Sequence, residues 1–134
     1  VRCLKQHIAH RDRPIALAAQ GQFTVVAQCA AAISPEINRI YLSGGLATFE
    51  SVAATEIYNH AFANFVPGFL NSIDLPEVTA FMEDRRVTLA GMVDGAARPL
   101  DAVAVRRAYK AIRNLEVLPG AGWTAEAIAK FANA

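Results

Sequence analysis

Residues 15–43 read Ile-Ala-Leu-Ala-Ala-Gln-Gly-Gln-Phe-Thr-Val-Val-Ala-Gln-Cys-Ala-Ala-Ala-Ile-Ser-Pro-Glu-Ile-Asn-Arg-Ile-Tyr-Leu-Ser, and this stretch decides the fold. Ile15 to Ala19 is a short apolar run of the kind that forms a buried strand, and Gly21 supplies a turn. Thr24 to Ile33 is alanine-rich and reads as a buried helix. Ser34-Pro35 stops it, because proline pushes the residue before it out of the helical region. Ile37 to Ser43 follows, with strand character at Ile40, Tyr41 and Leu42, and ends at Gly44-Gly45. Neither strand alternates apolar with polar residues. Strands of that kind are covered on both faces, and two of them joined by a helix lie parallel.

The same alternation extends outward. Upstream, residues 2–10 are helix-compatible and Asp12-Arg13-Pro14 breaks the pattern. Downstream, Phe49 to Phe65 has mixed helical spacing and Val66-Pro67-Gly68 is a turn. Asp74 caps a helix that begins at Leu75-Pro76 and runs through Val78, Phe81 and Met82. Arg86 to Val93 is a third strand, leading into Asp94-Gly95. Asp101 caps a helix with Val105, Tyr109 and Ile112 on one face and Arg106, Arg107, Lys110 and Arg113 on the other. Leu115 to Leu118 is a fourth strand, Pro119-Gly120-Ala121-Gly122 a turn, and Thr124 caps a last helix over Ala125 to Ala132. The expectation is a single α/β domain over 1–134, three-layered, with a mainly parallel sheet of about four strands and flanking helices. Ligands of such sheets sit at the carboxyl ends of the strands. That places Gln20-Gly21-Gln22, Gly44-Gly45, Asp94-Gly95 and Gly120-Ala121-Gly122 along one rim, with Gly21, Gln22, Gly44 and Gly45 as candidate binding residues.

Composition narrows the function. Among 134 residues 54% are hydrophobic and 19% charged, more apolar than the roughly 45–50% and 25% of ordinary domains, so the surplus needs a burial site. The formal net charge is +1 and the basic residues are scattered apart from Arg11–Arg13, Arg85–Arg86 and Arg106–Arg107, which argues against nucleic acid as a partner. No apolar run is long enough for a membrane span, and the first residues lack the order of a signal peptide. The chain is expected to be soluble, and secreted or periplasmic if it is part of a longer polypeptide. Cys3 and Cys29 fit reduced thiols or one disulfide, and neither they nor His7, His10 and His60 have metal-ligand spacing, so no metal or cofactor is expected.

Several stretches resemble the C-terminal half of an α/β-hydrolase, of the esterase branch similar to acetyl xylan esterases and dienelactone hydrolases. They are Val66-Pro67-Gly68-Phe69-Leu70, Asp74-Leu75-Pro76-Glu77, Arg85 through Asp94, and Arg98-Pro99-Leu100, in that order. The resemblance implies a partial α/β-hydrolase fold, a carbohydrate or acyl ester as ligand, and a nucleophile serine on a tight strand-to-helix turn, followed in the chain by an acid and a histidine. At the serine position stands Gly21, with Thr24 nearby but shifted in the turn. Asp94 is the candidate triad acid, for which the alternative is a turn former. Where the histidine belongs, the chain has Gly120-Ala121-Gly122-Trp123, while His60 falls in the long middle segment. Ser43, Ser51 and Ser72 have no base at a rim position.

Complete members of that family have a longer sheet, and the strands read here resemble its later ones, so the chain reads as the C-terminal half of a larger fold. Its first strand then exposes an apolar edge, for a second copy or another domain to cover. The expected function is a hydrolase-like module without catalysis. The alternatives are a serine esterase whose remaining parts lie elsewhere, and a domain binding a small ligand at the rim.

Overall fold

A computed structural model describes Cys3, Gln6 and residues 13–133. The helix expected over 2–10 lies outside the described residues, apart from Cys3 and Gln6, which are helical and exposed. The elements are β1 (Ile15–Gln20), α1 (Phe23–Ile33), β2 (Ile37–Ser43), α2 (Phe49–Ala53), α3 (Leu75–Ala80), β3 (Arg86–Ala90), α4 (Ala102–Ala108), β4 (Leu115–Leu118) and α5 (Ala125–Asn133). The strands form one four-stranded sheet in the order β1-β2-β3-β4. Every pairing is parallel.

Period-2 alternation of side chains sorts the strand residues onto two faces. Leu17, Ile40, Leu42, Val87, Leu89 and Val117 pack on one face with Ala27 and Ala31 of α1 and with Val105, Tyr109 and Ile112. On the other, Ala16, Ala18, Tyr41, Ala90 and Leu118 pack with Ile128 and Phe131 of α5. Helices therefore cover both faces, which makes the three layers and explains why β1 and the end of β2 read as apolar without alternation. The segment between β2 and β3 adds a smaller cluster of Val25, Leu46, Phe49 and Leu75, edged by Val52, Phe65 and Phe69.

Several sequence expectations need correcting in their bounds. The helix after Asp74 ends at Ala80, short of Phe81 and Met82, and the helix after Asp101 ends at Ala108, so Tyr109 and Ile112 pack from the turns that follow it. Of Phe49 to Phe65 only Phe49–Ala53 is α-helical, with short 3-10 turns at Phe62–Asn64 and Phe69–Asn71. The aromatic residues there serve packing rather than helical periodicity: Phe49 meets Phe65 and Phe69 edge-on at 6.0 and 5.2 Å. The third strand ends at Ala90, not Val93, because Gly91 turns with φ +56 and Val93 makes only isolated bridges to Leu46 and Pro99.

The helix start at Asp74 follows its sequence signature. Asp74 and Glu77 form a capping box, and the Asp74 carboxylate also accepts from the Phe49 and Glu50 N–H groups that open α2. One side chain thus serves two helix starts. Arg85 does the converse for helix ends: its Nη1 donates to the carbonyls of Ala31, Ser34 and Ile37, its Nε to Met82 and its Nη2 to Phe81. Under the sheet, Tyr109 Oη lies 2.8 Å from the Ala47 carbonyl and 3.2 Å from Gln28 Oε1, to which the Thr79 hydroxyl also donates at 2.8 Å. Burial raises the Tyr109 phenol, which therefore stays protonated.

Candidate functional site

The carboxyl ends of the four strands share one rim because all run the same way. Past the last residue of β1, β2 and β3 the ladder continues one step. Gly21 N–H donates to Ser43 C=O (2.8 Å), Gly44 N–H to Ala90 C=O (2.8 Å) and Gly91 N–H to Leu118 C=O (3.2 Å). All three glycines have positive φ, at +58, +63 and +56, so each strand turns off the sheet at the same level.

The turn after β4 lies across these tips. A Cβ on Gly91 would sit 2.3 Å from the Ala121 nitrogen, and one on Gly44 would sit 3.7 Å from the Ala121 Cβ. Tyr41 Oη donates to the Gly122 carbonyl at 2.8 Å, and the Tyr41 and Trp123 ring centroids are 6.4 Å apart. This brings Trp123 over the end of β1. The result is an open cleft of about 670 Å³ lined by Gln20, Gly21, Gln22, Phe23, Gly44 and Trp123. Phe23 and Trp123 line the cleft although the sequence marks neither as a binding residue, and Trp123 figures there only as standing where a histidine is expected. The signal for it was an aromatic between glycines and a helix cap in a rim turn.

Of the four candidate binding residues, Gly21, Gln22 and Gly44 line this cleft. Gly45 is buried beneath α1, where a Cβ would fall 1.9 Å from Thr24 Oγ1. Its role is close packing of β2's exit against the helix. Thr24 itself is fully buried and its hydroxyl donates to the Gly21 carbonyl at 2.8 Å, so it presents no oxygen to the cleft.

Asp94 is held within its own loop and does not line the cleft. Its Oδ1 accepts from the N–H groups of Ala96 and Arg98, both at 2.9 Å, and its Oδ2 pairs with Arg98 Nε at 2.8 Å. Desolvation opposes the charge, but the hydrogen bonds from Arg98 and Ala96 and the Arg98 charge outweigh it and hold the carboxyl below the usual carboxylate range. His60 reaches this loop, but its Nε2 lies 2.8 Å from the Asp94 main-chain carbonyl rather than from the carboxylate. The Asn59 N–H donates to the Gly95 carbonyl beside it. This arrangement anchors the middle segment and orients no base toward the rim.

The serines do not change that. Ser51 donates to the Thr48 carbonyl, Ser72 is exposed, and Ser43 is buried with its Oγ unpaired. Burial raises the Cys29 thiol, so little thiolate forms. Among the described residues Cys3 and Cys29 are both free, and no group of three or more His, Cys, Asp and Glu side chains could hold a metal ion. No helix among them is long and apolar enough to cross a membrane.

The chain matches no protein-family model, and neither a curated protein nor a solved structure matches it.

Proposed function

We propose that the protein is a non-catalytic α/β-hydrolase-like module that keeps the rim as a binding cleft. Gly21 carries this reading. It sits between β1 and α1 with φ +58 and open space around the place of a Cβ, which suits the strained turn that presents a hydrolase's nucleophile, but it has no side chain. Trp123 stands after β4 where the histidine would come, and the Asp94 carboxylate after β3 is taken up by Arg98 and its own loop. The order of the three positions, after the first, third and fourth strands, follows the serine–acid–histidine order of that fold, with the acid alone still in place. Four consecutive parallel neighbours are then part of a larger sheet.

The cleft's remaining groups suit a carbohydrate or acyl ester. Phe23 and Trp123 offer apolar ring faces and Gln20 and Gln22 offer amides. A partner is the second element of the reading. Among the described residues β1 is an edge strand, and the neighbouring helix α1 exposes Phe23 (64%), Val26 (57%) and Ile33 (83%) in helical spacing. An open apolar edge of this kind is normally covered, here by a second copy or another domain.

Incubation of the purified chain with p-nitrophenyl acetate tests the reading. The expected result is no saturable turnover, with the Asp94→Asn variant indistinguishable from the parent. Saturable turnover that Asp94→Asn abolishes would establish an esterase instead.

A further inference from the structure

Beside α5, on the face of the sheet away from the main core, β3 and β4 leave a groove of about 350 Å³. Its floor carries Arg86, Thr88 and Glu116, although their neighbours Val87, Leu89 and Val117 are buried core on the opposite face. A sheet face built to receive an apolar helix is apolar. This one holds an ion pair, Arg86 Nη2 to Glu116 Oε2 at 3.3 Å, and the Thr88 hydroxyl donates to the same carboxylate at 3.1 Å.

The wall contributes Glu126 and Lys130, one helical turn apart at the spacing where opposite charges on a helix usually pair. Among the ion pairs of the described residues neither takes part. Both face the groove instead. Helix α5 starts at the rim after Thr124 and its far end is tied to β2 where Arg39 donates to the Ala132 carbonyl. Glu126 therefore stands near the strand tips and Lys130 a turn deeper, toward Arg86. Phe131 and Leu118 supply an apolar surface. The volume lies at the small end of the roughly 300–1,000 Å³ typical of small-molecule sites.

We propose that this groove binds a small zwitterion of the α-amino-acid class with an apolar side chain. Its carboxylate lies toward Lys130 and Arg86, its ammonium toward Glu126, and its side chain against Phe131 and Leu118. The proposal does not depend on the hydrolase reading, because the groove and the rim cleft share no lining residue.

Amide-resolved NMR titration of the whole chain at neutral pH and low salt tests it with three probes of one shape. L-Phenylalanine carries both charges, 3-phenylpropionate only the anion and 2-phenylethylammonium only the cation. Saturable shifts confined to residues 86–88, 116–118 and 124–131 are expected, with each half-charged probe bound up to about fivefold more weakly, as suits exposed charge pairs. Lys130→Gln should weaken phenylalanine toward the level of 2-phenylethylammonium, with Arg86 retaining part of the attraction for the carboxylate, Lys130→Arg should restore it, and Glu126→Gln should bring it down to 3-phenylpropionate. Equal binding of the three probes, shifts centred elsewhere, or no saturable binding overturns the proposal. Spectra of the unliganded variants report whether the fold is kept, and because Glu126 and Lys130 are exposed the two single variants test the site independently.

Discussion

Replacing Arg85 by methionine probes how the two layers of helix and sheet are joined. The guanidinium donates to five carbonyls, those of Ala31 and Ser34 at the end of α1, Ile37 at the start of β2, and Phe81 and Met82 after α3. Methionine keeps the stem's packing and removes every donor. A hydrogen bond to a charged group contributes about 1.5–3 kcal/mol, but Nη1 shares its protons among three acceptors and the outer carbonyls regain water, so the net loss should be about 3 kcal/mol. In thermal unfolding this corresponds to a fall of about 10 °C for a domain of this size. Arg85→Lys restores the positive charge at the helix ends but offers one point of donation, so it should recover about a third of the loss. Urea denaturation measures both, with the slope of the transition unchanged. A loss below about 1 kcal/mol for Arg85→Met, or a lysine variant as stable as the parent, would refute the capping role.

Two further outcomes follow from the rim. Gly91→Ala places a Cβ 2.3 Å from the Ala121 nitrogen at φ +56, so it should cost more than about 3 kcal/mol by chemical denaturation. Gly21→Ala meets nothing within 4 Å and should cost only the left-handed penalty of about 1–2 kcal/mol; equal costs for the two would contradict the crossing of the last turn over β3. For pH dependence, Asp94 has a folded pKa held below the unfolded value of about 3.9. Its charge thus contributes stability above that value and loses it as pH falls through the folded pKa. Stability measured between pH 5 and 2 should fall more steeply in the parent than in Asp94→Asn, and a steeper fall in the variant would reverse the assignment.

The order of elements after Asp12 was legible because glycine, proline and capping residues punctuate it. Gly21, Ser34-Pro35, Asp74-Leu75-Pro76 and Asp101 each mark a boundary close to the one observed. The segment 49–73 was not legible. Its phenylalanines recur at intervals that mimic a helix, whereas they gather around Phe49 from separate short turns. Arg85 and Arg86 read as one small basic cluster, yet adjacent residues at the start of a strand diverge, one capping helix ends and the other pairing with Glu116.

Local sequence by itself determined the α/β class, the parallel sheet and the absence of a serine at Gly21, since each rests on residue type and spacing along a short stretch. Tertiary structure alone decided which rim residues meet. It joined Trp123 to Gly21 and Gly44, and folded Gly45 under Thr24. It also kept Asp94 within its own loop, away from the cleft. The reason is that strand ends are set by neighbours across the sheet. Turning β3 away at Gly91, three residues before Asp94, depends on the Leu118 carbonyl and on the path of residues 120–121, more than twenty-five positions further along the chain.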